Sequence, residues 1–262
     1  MSPHRPSRRG PATVTERLVV SAARRLIGRR VVFAGHGVPT LAVSLARRLY
    51  EPRLEIVYES GVVGARPRRL PTSISDSLLV TDAACVLGMS QLFGYMIQGG
   101  RIDVGFLGAA QIDRHGNLNS TLIGGNYQHP KTRLPGSGGA IEVMAHAREV
   151  FVVMRTHSPS TLVSELDFCT SPAPGRARGP GVGEPVAAGV TTLITPLGVL
   201  TSARGGELVL DAVASGVEVG AVIAATGWPL RVSDHLKHLP EPTADELAVL
   251  CDELDPHRIY LR

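Results

Sequence analysis

Residues 31–61 read VVFAGHGVPTLAVSLARRLYEPRLEIVYESG, and this stretch decides the fold. An apolar strand at 31–34 is followed by a glycine turn, and apolar residues then recur at helical spacing over 40–50. A second β-branched run leads to Glu59 and another glycine turn. A right-handed strand-helix-strand unit places both strands in one parallel sheet. Both turns therefore emerge at the same carboxyl edge, where open α/β sheets bind ligands.

Glu59 is the candidate catalytic residue at that edge. A carboxylate beside a glycine loop can act as a nucleophile or as an acid or base. The pattern is also compatible with a second interpretation, in which Glu59 simply ends a strand at the surface. A dinucleotide site is not indicated, because Gly35 and Gly37 are not followed by the third glycine of that motif.

The alternation of strands and helices continues along the chain. Strands are predicted at 103–107, 149–154, 191–194, 198–201 and 207–213. Helices are predicted from the capping box of Thr13 and Glu16 to about residue 27, and over 89–98, 218–226 and 244–254. Residues 171–183 are rich in proline and glycine and predict a long loop.

These patterns predict a single α/β domain, residues 13–262, with a mostly parallel central sheet flanked by helices. A chain of 262 residues is long enough to bury one sizeable core. Residues 1–12 combine three arginines with proline and serine and contain no acidic residue. We predict that they form a disordered basic arm.

Composition argues against several classes of function. Aromatic residues make up 4% of the chain, too few for a surface that stacks nucleic-acid bases. No apolar run reaches the roughly 18 to 20 residues that span a bilayer. Cys85, Cys169 and Cys251 are far apart in the sequence and predict reduced, mostly buried thiols. We therefore expect a cytoplasmic protein that binds neither nucleic acid nor membranes.

Several short motifs follow the first strand in a fixed order. They are Gly35-His36-Gly37-Val38-Pro39, Glu59-Ser60-Gly61, Gly108-Ala109-Ala110-Gln111-Ile112-Asp113, Gly116-Asn117-Leu118-Asn119-Ser120-Thr121, His129-Pro130-Lys131-Thr132-Arg133 and Gly136-Ser137-Gly138-Gly139-Ala140. Their order and spacing resemble the β subunit of class I CoA-transferases. The tripeptide Glu-Ser-Gly stands where the 3-oxoacid branch has Glu-Asn-Gly, so the resemblance is to the glutaconate CoA-transferase branch of these β subunits.

The resemblance implies that Glu59 is a nucleophile. It would attack an acyl-CoA thioester and form an acyl-glutamyl anhydride, and the released thiolate would convert the anhydride into a glutamyl-CoA thioester. A second carboxylic acid then accepts CoA by the reverse steps, which gives ping-pong turnover. Coenzyme A is a substrate in this scheme, and no metal or redox cofactor is required.

Two glycine loops are candidates for the oxyanion hole. One contains Gly35 and Gly37 and the other contains Gly138 and Gly139, since backbone N–H groups free of Cβ atoms can converge on one oxygen. Either loop could also be a tight turn with no ligand. Gln111 could add a side-chain amide or could satisfy backbone groups of its own turn, whereas Asn117 and Asn119 are interpreted as mainly structural.

The resemblance also implies a partner, because class I enzymes place the glutamate-bearing half against an α subunit. We expect a heterodimer or a heterotetramer. The acid substrate is open: a dicarboxylate and a steroid- or aromatic-derived acid both suit a basic pocket, but neither Lys131 nor Arg133 can be assigned to one. Arg66, Arg68 and Arg69 could meet the phosphates of CoA or form a solvated loop or a partner contact.

Other functions stay open on the same scaffold. Hydrolysis of the acyl-CoA or cleavage of a ring-containing CoA ester are alternative reactions, and a non-catalytic scaffold protein is a second alternative. His235 and His238 could share a helix face, but no complete zinc signature accompanies them. His36, between two glycines, could polarise a carbonyl or could simply tolerate the turn conformation.

Overall fold

The computed structural model describes residues 10–35, 37–67, 70–73, 75–174, 188–202 and 206–262. The α-helices are α1 Val14–Arg24, α2 Val38–Leu49, α3 Ala140–His146, α4 Val219–Ala224 and α5 Ala244–Ala248. A 3-10 helix spans Ser77–Val80, and π-helices span Gln91–Ile97 and Val249–Leu254. None of the helices in these ranges is long and apolar enough to cross a membrane.

Fourteen strands occur in the described ranges. They are β1 Val31–Phe33, β2 Glu55–Val57, β3 Val62–Val63, β4 Cys85–Val86, β5 Val104–Leu107, β6 Gln111–Ile112, β7 Leu118–Asn119, β8 Leu122–Gly125, β9 Pro130–Arg133, β10 Glu149–Val153, β11 Val190–Ile194, β12 Gly198–Thr201, β13 Val209–Val213 and β14 Val232–His238. Two short hairpins, β6-β7 and β8-β9, lie apart from the main sheet.

The main sheet has ten strands in the order β14-β13-β12-β11-β10-β5-β1-β2-β3-β4. The five central strands, β11 to β2 in this order, are parallel. Antiparallel pairs occur on both sides of them, at β11-β12-β13 and at β2-β3-β4. The predicted α/β fold with a mostly parallel central sheet is confirmed.

Side chains of the central strands alternate between two apolar cores. In β1, Val32 packs with α1 and α2 on one face, and its neighbour Phe33 packs on the other face with α3 and the π-helix Gln91–Ile97. The same alternation holds in β2, where Ile56 and Val57 join opposite cores. Because successive strand residues point to opposite faces, a sheet buried on both sides needs such uninterrupted apolar runs.

Both predicted capping boxes are present. The Thr13 hydroxyl accepts from Glu16 N at 3.3 Å while the Glu16 carboxylate accepts from Thr13 N at 2.7 Å, and Thr243 and Glu246 repeat the arrangement at the start of α5. Each pair satisfies two backbone groups that a helix start leaves open. Helix α1 ends at Arg24, three residues before the predicted end, and a turn leads to Gly28 at a φ of 80°.

Several predicted elements differ from the structure. The predicted helix at 89–98 is a π-helix over Gln91–Ile97, and the last helix becomes a π-helix after α5. The short elements β3, β4, β6 to β9 and α3 were missed, because elements this short carry little periodicity. Strand β14, with seven residues, was missed as well. Most of the predicted loop at 171–183, and the basic arm apart from residues 10–12, lie outside the described residues.

Candidate active site

Glu59 lies in the tight turn that joins β2 to β3. Tyr58 N donates to Val62 O at 2.9 Å and Gly61 N donates to Tyr58 O at 2.9 Å, which closes the turn around Glu59. Gly61 has a φ of 93°, and a Cβ placed on it would lie 2.1 Å from the carbonyl oxygen of Leu87. Only glycine fits this backbone, so the requirement for glycine at position 61 is steric.

The Gly138–Gly139 loop lies against the Glu59 carboxylate. Gly139 N donates a hydrogen bond to Glu59 Oε1 at 2.7 Å, a distance typical of a bond to a charged acceptor. A Cβ on Gly138 or Gly139 would approach that oxygen to 3.2 Å or 3.1 Å. The two glycines therefore allow the backbone to come close enough to hold the carboxylate.

Ser120 fastens this glycine loop to the β6-β7 region. Its hydroxyl donates to Gly136 O at 2.8 Å, and Gly136 N donates back to Ser120 O at 2.9 Å. Nearby, Leu134 N donates to Thr121 O at 2.9 Å. The loop that holds Glu59 is thus positioned by hydrogen bonds from another part of the chain.

Gln111 is buried and takes part in a partly buried network beside that anchor. Its amide nitrogen donates to Asp167 Oδ2 at 3.2 Å, and its amide oxygen accepts from Asn119 Nδ2 at 2.8 Å and from Asp167 N at 3.1 Å. Asn117 Nδ2 donates to Asp113 Oδ2 at 2.6 Å. The two asparagines are structural, as expected. Both the nitrogen and the oxygen of the Gln111 amide form hydrogen bonds within this network, and neither bonds to Glu59.

Gly35 and Gly37 border a cleft of about 460 Å³ at the carboxyl ends of β1, β5 and β10. The cleft is also lined by Gly108, Arg155 and Tyr260. Gly37 caps the N-terminus of α2 with a φ of 88°. The positive end of this helix dipole therefore faces the cleft. His36 lies outside the described residues, so its two interpretations stay predictions.

Tyr58 connects the turn of Glu59 to the loop that contains Gly35. Its side chain is 1% exposed and its hydroxyl lies 3.4 Å from the hydroxyl of Thr40, which donates to Gly35 O at 2.9 Å. Burial raises the pKa of Tyr58, so the phenol stays neutral near pH 7. The turn of Glu59 and the Gly35 loop are thereby held through one short chain of contacts.

Two of the basic candidates contact groups other than Glu59. Arg66 pairs with Glu55 at 3.0 Å, at the opposite end of β2 from the Glu59 turn. Arg68 and Arg69 lie outside the described residues. Lys131 and Arg133 lie on β9, where the Arg133 guanidinium stacks over Tyr127 at 4.7 Å from the ring centre.

Two predictions about single residue types are wrong. Cys85 and Cys169 are exposed and Cys251 is half-buried, so the thiols are not mostly buried. Cys85 is exposed because it lies on β4, at the edge of the sheet. His235 and His238 lie on strand β14, where residues three apart point to opposite faces, so they do not share a helix face. Within the described residues, no His, Cys, Asp and Glu side chains group as metal ligands would.

Sequence reasoning missed three residues of this region, which are Phe93, Ser120 and Arg155. Phe93 packs on Gly139. A Cβ on Gly139 would lie 2.8 Å from Phe93 Cζ, so that ring closes one side of the glycine loop. No local pattern marks Phe93 or Arg155. Ser120 lies inside a motif that was recognised, but its partner, Gly136, becomes its neighbour only in the folded chain.

The comparisons of this chain with known proteins agree with one another. Residues 15–224 match the model of the coenzyme A transferase family. The chain is 42% identical to the β subunit of the 3-oxoadipate CoA-transferase of Pseudomonas knackmussii, over 91% of this chain and 92% of that protein. It is 30% identical to the β subunit of the glutaconate CoA-transferase of Acidaminococcus fermentans, over 95% of both chains.

Solved structures agree with these relatives. The crystal structure of glutaconate coenzyme A-transferase from A. fermentans superposes with a TM-score of 0.85, covering 95% of this chain and 97% of that one. The decarboxylase AibA/AibB superposes with a TM-score of 0.80 at 27% identity, over 94% and 96% of the two chains. A shared scaffold therefore carries more than one reaction, and the chemistry has to be argued from the site.

Proposed function

This chain belongs to the coenzyme A transferase family, and we propose that it is the glutamate-bearing β subunit of an enzyme that moves CoA between carboxylic acids through a thioester on Glu59. The observation that carries the proposal is the 2.7 Å hydrogen bond from Gly139 N to Glu59 Oε1. A nucleophilic carboxylate has to be held in one orientation, and a backbone N–H does this without adding a second titratable group.

The reaction begins with attack of a Glu59 carboxylate oxygen on the thioester carbonyl carbon. The carbon–sulfur bond breaks, the thiolate of CoA leaves, and an acyl-glutamyl anhydride forms. The thiolate then attacks the glutamyl carbonyl of that anhydride, which releases the first acid as a carboxylate and leaves glutamyl-CoA. A second carboxylate reverses these two steps. Every step exchanges oxygen and sulfur at a carbonyl, so the scheme uses no metal and no redox cofactor.

Negative charge develops on a carbonyl oxygen in each addition step, and backbone donors can stabilise it. Gly138 and Gly139 are the better candidates for the steps in which the charge develops on the glutamyl carbonyl oxygen, because Gly139 N already donates to an oxygen of the Glu59 carboxylate. We assign to Gly35 and Gly37 the wall of the substrate cleft, where the N-terminus of α2 favours negative charge. Gln111 is assigned to the scaffold, since its amide is already occupied.

The acid substrate is proposed to be a dicarboxylate. The relatives at 42% and 30% identity are named for 3-oxoadipate and glutaconate, which are both dicarboxylic acids. The guanidinium of Arg155 in the cleft lining is suited to a second carboxylate. Both relatives are also named as one subunit of their enzyme, so the active enzyme is proposed to contain this chain and an α subunit.

Peptide mass spectrometry tests the covalent step. This chain, co-expressed with its α subunit, is incubated with the CoA esters of 3-oxoadipate, glutaconate and monocarboxylic acids, and then treated with borohydride, which reduces a glutamyl thioester to an alcohol. The expected result is loss of transfer activity together with a mass change confined to the peptide that contains Glu59. Glu59→Gln should abolish both.

Glu55→Gln is the matched control, because Glu55 lies on β2, the strand that leads into the turn of Glu59, and pairs with Arg66. It should retain labelling and transfer. An unmodified Glu59 peptide with free CoA and free acid accumulating would instead show hydrolysis by water. Transfer that survives Glu59→Gln would contradict the proposed nucleophile.

A further inference from the structure

A cavity of about 90 Å³ lies between helix α1 and the main sheet. It is bounded by α1, by the residues that follow the carboxyl ends of β11 and β13, and by the loop of residues 239–242. We call it the α1 cavity. It shares no lining residue with the cleft at Gly35 and Gly37, and Glu59 does not line it. The α1 cavity is therefore separate from the site of the proposed reaction.

Three arginines on or next to α1 line this cavity, and two of them have carboxylate partners. Arg17 pairs with Glu241 at 3.0 Å, and Arg24 pairs with Glu246 at 2.7 Å. Arg24 also donates to the backbone carbonyl of Glu241 at 3.1 Å. These two arginines are thus neutralised and fasten the 239–242 loop to the helix. The third arginine, Arg25, is held differently.

Arg25 bonds only to uncharged groups. Its Nη1 donates to Ser21 O at 3.2 Å and to Ser21 Oγ at 3.0 Å, and in the part of the chain that the structure describes it forms no ion pair. Burial lowers the pKa of the Arg25 guanidinium, and the charge of Asp211, which opposes this effect, does not outweigh it. Asp211 pairs instead with Lys237 at 3.7 Å. Because a guanidinium is still charged at pH 7, the fold keeps a partly buried cation without a counter-ion.

The rest of the wall is largely apolar and includes Leu18, Val20, Pro196, Ala214 and Leu239. A cavity with apolar walls and one convergent polar group is typical of a small-molecule site. One water molecule needs about 10–15 Å³ of such a cavity, so the α1 cavity holds roughly six water-sized groups. A carboxylic acid of about four carbons has this size.

We propose that the α1 cavity binds a short-chain monocarboxylic acid, whose carboxylate pairs with Arg25 and whose alkyl chain lies against the apolar wall. A guanidinium can donate two parallel hydrogen bonds to one carboxylate, and the bonds to Ser21 engage only Nη1. Burial of the alkyl chain adds a hydrophobic contribution. Inorganic phosphate would pair with Arg25 but would leave the apolar wall without a partner, so the wall favours an acid with an alkyl chain.

Isothermal titration calorimetry of the full chain with butyrate tests this site. Arg25→Met removes the charge and should raise the dissociation constant for butyrate by about tenfold or more, because the charged hydrogen bonds are lost. Ala214→Leu fills the cavity while Arg25 stays in place, and it should weaken binding to a similar extent. Arg30→Gln is the matched control, because Arg30 is exposed and does not line the α1 cavity. Thermal melting of each variant shows whether it still folds.

Two further arms separate this cavity from the cleft proposed for the acid substrate. Arg155→Gln removes the cation of that cleft and should keep wild-type butyrate binding. Butyramide has the shape of butyrate without its charge and should not bind the wild-type chain.

The expected result is butyrate binding that Arg25→Met and Ala214→Leu weaken and that Arg30→Gln and Arg155→Gln leave unchanged. Absence of butyrate binding by the wild-type chain, or binding that survives both cavity variants, would overturn this inference. Binding that only Arg155→Gln weakens would assign butyrate to the substrate cleft and would also overturn it, with the proposed function left standing. Binding of inorganic phosphate but not of butyrate, abolished by Arg25→Met, would show an oxyanion site and contradict the proposed ligand class.

Discussion

At the scale of single residues, the site depends on backbone more than on side chains. Gly139 holds the Glu59 carboxylate through its N–H, and its own lack of a Cβ leaves room for Phe93. A side chain at this position would displace either the ring or the carboxylate. Its φ of −82° is accessible to any residue, so the requirement for glycine is steric.

We therefore expect Gly139→Ala to lower kcat by about a hundredfold, because a displacement of about 1 Å at a reacting group has effects of this size. Stopped-flow transfer assays with a saturating acyl-CoA measure it. Gly220→Ala is the control, since a Cβ there meets nothing within 4 Å. Near-normal kcat for Gly139→Ala would show that the hydrogen bond to Glu59 is dispensable.

His157 is a second residue with a specific consequence. It is 9% exposed, and its ring nitrogens lie 2.8 Å from Thr195 Oγ1 and 3.0 Å from Thr226 Oγ1. Burial lowers its pKa from 6.5 to about 4. The unfolded chain therefore binds a proton on this residue at a higher pH than the folded chain does. The stability that neutral His157 contributes is complete above its unfolded-state pKa of 6.5. This contribution is lost as the pH falls toward its folded-state pKa of about 4.

The free energy of unfolding should fall between pH 6.5 and pH 4, with a contribution from His157 of about 1.4 kcal/mol per pH unit. His157→Gln should be less stable at pH 7 but should lose less stability across this window. Urea unfolding at a series of pH values measures both. His129→Gln, at an exposed position, should keep the wild-type slope. Equal slopes for wild type and His157→Gln would contradict the assignment.

At the scale of elements, the loop between β9 and α3 has to be held in place from outside. Ser120, next to the end of β7, supplies a side-chain and a backbone hydrogen bond to Gly136 in this loop. The loop then delivers Gly138 and Gly139 to Glu59. Under the proposed function, Ser120 is a positioning residue, which acts on the reaction through the glycine loop.

Ser120→Ala should reduce kcat by about tenfold while KM changes little, because the cleft at Gly35, which we propose binds the substrate, is left intact. The lost hydrogen bond should lower stability by about 1 kcal/mol. Steady-state kinetics separate the two parameters. Ser160→Ala, at an exposed position, is the control. Ser120→Thr, which keeps the hydroxyl, should restore most of kcat; failure of this rescue would argue against the hydrogen bond.

At the scale of the whole molecule, the C-terminal segment fastens the first two helices. Glu246 of α5 is 4% exposed and accepts two 2.7 Å hydrogen bonds from Arg24 of α1, together with the hydroxyl of Tyr50 after α2. Burial alone would raise the pKa of Glu246, but the bonds from Arg24, Tyr50 and Thr243 outweigh it and lower the pKa to about 2. One carboxylate thus joins three helices.

Glu246→Gln should lower the free energy of unfolding at pH 7 by about 3 kcal/mol, since it leaves the charge of Arg24 without its partner. The stability that Glu246 contributes in the wild type is complete above pH 4.5 and is lost as the pH falls toward 2. The free energy of unfolding of the variant should therefore depend less on pH in this range. Guanidinium unfolding at pH 7 and pH 3 measures both. Glu218→Gln, at an exposed helix cap with no side-chain cap bond, should behave as wild type.

Local rules determined much of this protein from its sequence. The capping boxes at Thr13 and Thr243 join residues three apart, and the strand-helix-strand unit of 31–61 depends on apolar spacing within a few turns. The order of the glycine motifs predicted the family, and the role of Glu59 stays a prediction. The capping boxes and the strand-helix-strand unit could be predicted because their interacting groups are close along the chain.

Only the tertiary structure decided which glycine loop meets Glu59. Gly139 and Glu59 are 80 residues apart in sequence, and Gln111 and its partner Asp167 are 56 apart. No local pattern encodes such pairs, because they are set by how strands order in the sheet and how loops converge at its edge. The exposure of Cys85 has the same origin: whether an apolar residue is covered depends on the neighbour that the sheet gives it, and at β4 the sheet ends.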